Sequence, residues 1–227
     1  MTRLRSALYT LAFVLLTTVM VLIGVPIALA SRRLFSRYAR LWARLAGGLA
    51  RAVLGVRLVV EGAAPTAPVL IAAKHESAYE TLAMMRLLDD PVVVLKRSIL
   101  AVPVFGWLAR RHGVVPVDRS ANATALRAML RAADTAKASG RAVLIFPEGT
   151  RVAPGARPPV QAGFAGLYGR LGLPVVPVAT DAGRIWGKGL AKRSGPVRIR
   201  FGEAIPPGLP RREIEARVHA AINQLNG

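Results

Sequence analysis

The 227-residue chain contains no cysteine, which removes disulfides, thiolate nucleophiles and cysteine metal sites at once. Histidine is scarce as well. The three residues, His75, His112 and His219, are far apart and lack the i, i+4 spacing of a helical zinc site, so no metal is expected. Acidic residues are the next shortage, with 12 against 32 lysines and arginines, a formal charge of +20. Such a surface seeks an anionic partner, either nucleic acid or anionic lipid. Aromatic residues make up only 6% of the chain and no nucleic-acid-binding motif is present, so nucleic acid is not the expected partner.

What the chain has in excess is apolar surface, 53% of residues with a mean hydropathy of +0.39. Much of it lies in the uncharged run Ala7 to Ala30, 24 residues long. As a helix this run would measure roughly 36 Å, enough for a hydrocarbon core of about 30 Å. It exceeds the apolar region of a secretory signal, and Arg32 and Arg33 behind it would resist translocation. Residues 1–60 hold nine arginines and no acid, the first being Glu61. Within that region Arg32 to Leu54 sets Leu34, Tyr38, Leu41, Leu45 and Leu49 on one helical stripe and Arg33, Arg37, Arg40, Arg44 and Arg51 on another. This pattern predicts a basic amphipathic helix on an anionic leaflet, with Phe35, Tyr38 and Trp42 at headgroup level. Residues 1–54 are thus expected to anchor the chain, and more arginines after the apolar run than before it place the rest on the cytoplasmic side of the membrane.

From residue 55 onward the pattern changes to short β-branched runs alternating with helical stretches. Strands are expected near Val56 to Val60, Val69 to Ala73, Val92 to Leu95, Val114 to Val117, Ala142 to Phe146, Val175 to Ala179 and Val197 to Phe201. The clearest helices are Tyr79 to Leu88, Thr124 to Ala138, Phe164 to Leu171 and Arg211 to Leu225. The fold class is α/β, a largely parallel sheet covered by helices, spanning residues 55–227.

Chemistry concentrates behind the second strand, in Lys74-His75-Glu76-Ser77-Ala78-Tyr79-Glu80. An imidazole can take a proton from an alcohol near neutral pH, and a carboxylate on its far nitrogen fixes the tautomer and stabilises the imidazolium. Positions i and i+5 of a regular helix are about 140° apart, so His75 should precede a helix whose first turn carries Glu80. The chain has no Gly-x-Ser-x-Gly elbow, so a covalent acyl-enzyme is not expected.

Three further motifs follow: Gly113-Val114-Val115-Pro116-Val117-Asp118-Arg119, Phe146-Pro147-Glu148-Gly149-Thr150-Arg151 and Val175-Val176-Pro177-Val178. With Lys96, Pro103, Gly106 and Trp107, they make residues 55–205 resemble the glycerolipid acyltransferases, and most nearly the bacterial 1-acylglycerol-3-phosphate acyltransferases. Glu80 stands where that family most often has Asp, and Val160-Gln161-Ala162-Gly163 lacks the lysines usual there. The resemblance implies that His75 is the base and Glu80 its orienting partner. It also implies that Lys96, Arg119, Glu148, Gly149, Thr150 and Arg151 serve the acceptor. Lys96, Arg119 and Arg151 would hold its phosphate, Glu148 would organise the loop or accept from a glycerol hydroxyl, and Pro177 would shape the acyl pocket. The implied substrates are a lysolipid acceptor, lysophosphatidate or another such as lyso-ornithine lipid, and an acyl thioester of coenzyme A or acyl carrier protein. No cofactor is implied. A non-catalytic membrane-anchored lipid-binding protein would keep the arginines without needing the His75–Glu80 pair.

Overall fold

The computed structural model describes residues 2–118 and 123–226. Seven strands form one sheet in the order β1-β7-β6-β2-β5-β3-β4. They are β1 (Val56–Glu61), β2 (Leu70–Ala73), β3 (Val92–Lys96), β4 (Val114–Val117), β5 (Val143–Ile145), β6 (Val175–Thr180) and β7 (Gly195–Phe201). All seven expected strands are present, with ends shifted by one or two residues. Pairings from β6 through β4 are parallel, as is β1 on β7, whereas β6 meets β7 antiparallel. The expected helices appear as α3 (Tyr79–Leu87), α5 (Ala123–Ala138), α6 (Ala162–Leu171) and α8 (Arg211–Ile222), preceded by α1 (Thr2–Ala30) and α2 (Arg32–Leu49). The chain also forms α4 (Phe105–His112), α7 (Ala182–Ile185), a 3-10 turn over Arg97–Ala101 and a π-helical turn over Ala50–Leu54, all too short for a periodic signal.

Strand alternation explains the layering. Ile71 and Ala73 of β2 face a core built with Tyr79, Ala83 and Met84 of α3, Ala182 of α7, and Tyr9, Ala50 and Leu54 from the N-terminal helices. Leu70 and Ala72 face the opposite core, formed with Met129 and Ala133 of α5, Phe164, Leu167 and Leu171 of α6, and Ile214, Val218 and Ile222 of α8. A strand buried on both faces reads as a continuous apolar run, which is why β2 and β6 are β-branched and alanine-rich throughout.

The N-terminal helices form a hairpin lying along the first of these layers. At one end of α1, Ser6 Oγ accepts from the Lys192 backbone N–H at 2.9 Å and Tyr9 meets Trp186 edge-on at 4.9 Å. At the other end Arg111 Nε donates to Ala28 O at 2.9 Å, and Ala28 packs with Phe35 and Leu108. Midway, Trp42 Nε1 of α2 donates to Thr17 Oγ1 at 3.1 Å. Only about one-sixth of the apolar window of α1 is buried, so most of Leu4, Leu8, Leu11, Leu15 and Leu22 points outward.

The structure corrects the expectation for α2. Its buried face is neither the leucine nor the arginine stripe but a third one, Phe35, Ser36, Ala43 and Ala46, continued by Ala50. Small residues let α1 approach closely, with Gly24 lying under the rings of Phe35 and Tyr38. Phe35 is therefore buried and Tyr38 and Trp42 half-buried, packed inward instead of waiting at headgroup level. Leu34, Leu41 and Leu45 remain exposed beside the arginines.

Candidate active site

β2 ends at Ala73, and the chain leaves the sheet edge through Lys74 and His75 before α3 begins at Tyr79. The turn is tied by one carboxylate. Glu80 Oε1 accepts from the backbone N–H groups of Glu76 at 3.0 Å and Ser77 at 2.8 Å, and lies 2.7 Å from His75 Nδ1. Ser77 Oγ accepts from the Tyr79 N–H at 3.0 Å. These contacts satisfy donors that a helix start leaves orphaned, and the helix dipole favours a negative group at this position. The longer reach of Glu at this position is thus used in full, since one oxygen serves the imidazole and two amides. Because a carboxylate only accepts, the ring proton belongs on Nδ1 and Nε2 keeps its lone pair. Phe146 stacks on the ring at 4.1 Å and fixes its plane, while the His75 side chain remains 19% exposed.

Behind His75 lies a buried polar cluster that the sequence did not single out. Lys74 Nζ is fully buried and donates to Glu148 Oε1 at 2.6 Å, Ala156 O at 2.6 Å and Asn223 Oδ1 at 2.8 Å. The second oxygen of Glu148 accepts from the His75 backbone N–H at 2.8 Å. Of the two roles expected for Glu148, its geometry supplies the loop-organising one: the carboxylate is buried with both oxygens engaged. Glu76 is buried too. Its Oε2 accepts from the Gly183 N–H at 3.0 Å, and with its amide turned to suit both neighbours, Asn226 donates to Oε1 at 3.1 Å and accepts from Lys74 Nζ at 3.2 Å. Burial pushes the Glu76 carboxyl up to about 7, against the pull of the Gly183 N–H and the Lys74 charge. Asn223 caps α8 and Asn226 follows it, and neither was expected at the site.

The remaining expected residues fall along the same edge of the sheet. Lys96 is exposed at the end of β3, two strands from β2. Gly149, at φ 70°, turns the loop after β5, and its N–H returns to Phe146 O at 3.0 Å. A side chain would be strained at that φ, so the turn itself requires glycine. Thr150 and Arg151 follow, exposed, and the next residue is pinned to the base because the Val152 N–H donates to His75 O at 2.8 Å. Arg119 lies outside the described residues. Pro177 sits within β6 with its ring against Gly202. His112 is buried away from the site. Burial and then the Arg141 guanidinium hold its pKa below the usual value.

A base with one free nitrogen at the carboxyl end of parallel strands is an arrangement suited to activating a substrate hydroxyl, on a fold whose strand ends carry sites. The chain belongs to the acyltransferase family, whose model, described as Acyltransferase, matches residues 57–181. It is 38% identical over 167 residues to the 1-acyl-sn-glycerol-3-phosphate acyltransferase of Pseudomonas aeruginosa, covering 72% of this chain and 65% of that protein. It is 32% identical over 140 residues to the mouse 1-acyl-sn-glycerol-3-phosphate acyltransferase alpha, covering 59% and 48%. The chain thus matches between about half and two-thirds of the length of these relatives. The fold is that of the 1-acyl-sn-glycerophosphate (LPA) acyltransferase PlsC of Thermotoga maritima, with a TM-score of 0.81 at 20% identity, covering 100% and 96% of the two chains.

Proposed function

We propose that the protein transfers a fatty acyl group from a thioester to the free hydroxyl of 1-acylglycerol-3-phosphate, giving phosphatidic acid for phospholipid synthesis. The observation that carries this reading is the 2.7 Å contact between His75 Nδ1 and Glu80 Oε1 at a sheet edge that also presents Lys96 and Arg151. His75 Nε2 takes the proton of the acceptor hydroxyl as its oxygen attacks the thioester carbonyl. The C–S bond then breaks, and the thiolate leaves with the proton returned by the imidazolium. Glu80 holds the ring and stabilises its charged form, a contribution of about 100-fold to 10,000-fold for a positioned base. Lys96 and Arg151, with Arg119 from the neighbouring motif, receive the acceptor phosphate, and the guanidinium forks suit its oxygens. The donor is acyl-CoA or acyl carrier protein. Similarity to 1-acyl-sn-glycerol-3-phosphate acyltransferases supports the acceptor.

The hairpin anchors this chemistry at a cytoplasmic membrane face. By length and composition α1 could cross a bilayer. Its packing favours lying in one leaflet. Trp42 of α2 meets Thr17 in the middle of α1, so a spanning α1 would carry Arg40 and Arg44 toward the bilayer centre at about 2.5 to 3.5 kcal/mol each. Both ends of α1 also contact the α/β body.

His75→Ala tests the reading, with lysophosphatidate or lyso-ornithine lipid and each thioester supplied in detergent micelles. The expected result is abolished transfer with membrane association retained. Near wild-type turnover by the folded variant refutes the mechanism, and a wild-type preference for lyso-ornithine lipid refutes the acceptor.

A further inference from the structure

Between β3 and α4 the chain shows solvent a run of apolar side chains that neither the hairpin nor the His75 site uses. Ile99, Val102, Val104, Phe105 and Trp107 are each 37–50% exposed, while Leu100 and Leu108 turn inward. Single exposed apolar residues are ordinary; five within one short segment, two of them aromatic, are not. The backbone fixes this display. Val104 is a β-branched residue at φ 60°, a conformation that persists only where its surroundings enforce it. The Gly106 N–H donates to Val102 O at 2.8 Å, and a Cβ on Gly106 would fall 2.1 Å from Leu100 O. The turn is therefore closed from inside, and its apolar side chains have no room to fold back.

Two observations name what covers this patch. First, it is rimmed by cations, with Lys96 and Arg97 before it and Arg110 and Arg111 after it, all exposed. Apolar side chains inside a basic rim, with a tryptophan among them, match the interfacial zone of an anionic leaflet. Second, it continues the apolar outer surface of the hairpin. Leu108 packs with Ala28 and Phe35, Arg111 bonds Ala28 O, and the neighbouring Leu29 and Leu34 are exposed. The segment also follows β3 on the edge of the sheet that bears His75.

We propose that Ile99–Trp107 is a second lipid-inserting surface, distinct from the α1–α2 hairpin, which enters an anionic phospholipid leaflet beside the His75 site. The proposal rests on the one-leaflet placement of the hairpin given above. It gives the protein contact with the leaflet at both the anchor and the active-site mouth, so a lysolipid could pass from leaflet to site without crossing water.

The cysteine-free chain makes the test direct. Single cysteines replace Val102, Leu11 on the outer face of α1 and Arg217 on α8, each carrying an environment-sensitive fluorophore on the full-length protein. Emission is read in vesicles of phosphatidylcholine with phosphatidylglycerol, with and without nitroxide on the lipid acyl chains. The expected result is that labels at Val102→Cys and Leu11→Cys shift to the blue and are quenched to a similar extent, while the Arg217→Cys label is not. A Val102→Cys label quenched no more than Arg217→Cys, with Leu11→Cys quenched, overturns the proposal and leaves the hairpin placement standing. A blue shift at Val102→Cys without quenching by lipid-borne nitroxide also overturns it, because a second copy of the chain then covers the patch. Quenching at Val102→Cys but not at Leu11→Cys upholds the patch and refutes the hairpin placement.

Discussion

Lys74 is the most informative residue to perturb, because it is buried away from solvent yet holds the loop that holds the base. Its ammonium is fully buried among Glu148, Ala156 O and Asn223, and Glu148 in turn accepts from the His75 N–H. Lys74→Met keeps the length of the side chain and removes the charge, leaving a buried carboxylate uncompensated. Breaking one side of a buried ion pair costs about 3 to 5 kcal/mol. For a chain of this size each kcal/mol moves the melting midpoint by about 2 to 4 °C, so a fall of roughly 6 to 20 °C is expected. The double variant Lys74→Met/Glu148→Gln removes the stranded charge and should recover a large part of that loss. Acyl transfer should stay low in both, because Lys74→Met unties Glu148 from Ala156 O and Asn223 and the double variant also removes the charged acceptor for the His75 N–H. The assay is thermal unfolding of purified protein in detergent micelles, alongside turnover. A drop in midpoint below about 2 °C for Lys74→Met, or no recovery in the double variant, would refute the assignment of the pair as the loop's support.

Other outcomes follow from the same geometry. Glu76 has a folded-state pKa of about 7 against an ordinary 4.5, so its stabilising contribution is complete below the ordinary value and is lost as pH rises through about 7. Glu76→Gln keeps an acceptor for the Gly183 N–H without that loss and should be the more stable protein at pH 8, by up to about 3 kcal/mol; parallel melting curves for the two proteins across this range refute the burial argument. Glu80→Gln can still accept from the ring but cannot stabilise the imidazolium, and should lower turnover by about 100-fold or more, with Glu80→Asp between it and wild type; equal turnover in Gln and wild type removes the orienting role. Arg151→Ala should cut the specificity constant for lysophosphatidate by roughly 30-fold to 1000-fold, with little change in donor KM. An unchanged constant at saturating donor separates Arg151 from the phosphate.

The sequence made the sheet legible because its central strands β2, β5 and β6 are buried on both faces and the flanking ones on one. Seven β-branched runs bounded by Gly, Pro and charged residues could hardly be read otherwise, and the shifts at their ends are the usual fraying. The His75–Glu80 pair was legible for a different reason. A five-residue separation cannot bring two side chains together on a helix but can across its start, and the structure places Tyr79 at that start. The polar cluster behind the pair was not legible, because Lys74 is separated from Glu148 by 74 residues and from Asn223 by 149. No local periodicity reports a contact of that range. Nor does periodicity distinguish a side chain that faces lipid from one that faces protein, which is why Phe35, Tyr38 and Trp42 were expected at headgroup level and instead pack inward.

These two failures of local reading share a physical cause that bears on how the site works. The buried charges of Lys74, Glu76 and Glu148 sit where a low dielectric makes an unpaired group costly, so each must be satisfied and none can move without the others. Glu148 reaches the base through a backbone N–H, Glu80 reaches it through the ring, and Val152 closes the carbonyl side. His75 is consequently held at its N–H, its C=O and its Nδ1. Nε2 is the ring nitrogen left for a substrate, and a residue fixed at three points has little reorganisation left to do when a proton arrives. The exposed leucines of α2, in contrast, have no such constraint from the protein, and on the one-leaflet placement proposed above their partner is the acyl region of a leaflet. The polar support of His75 is sealed within the protein, whereas on that placement the outer faces of α1 and α2 acquire their apolar surroundings only when the protein meets lipid.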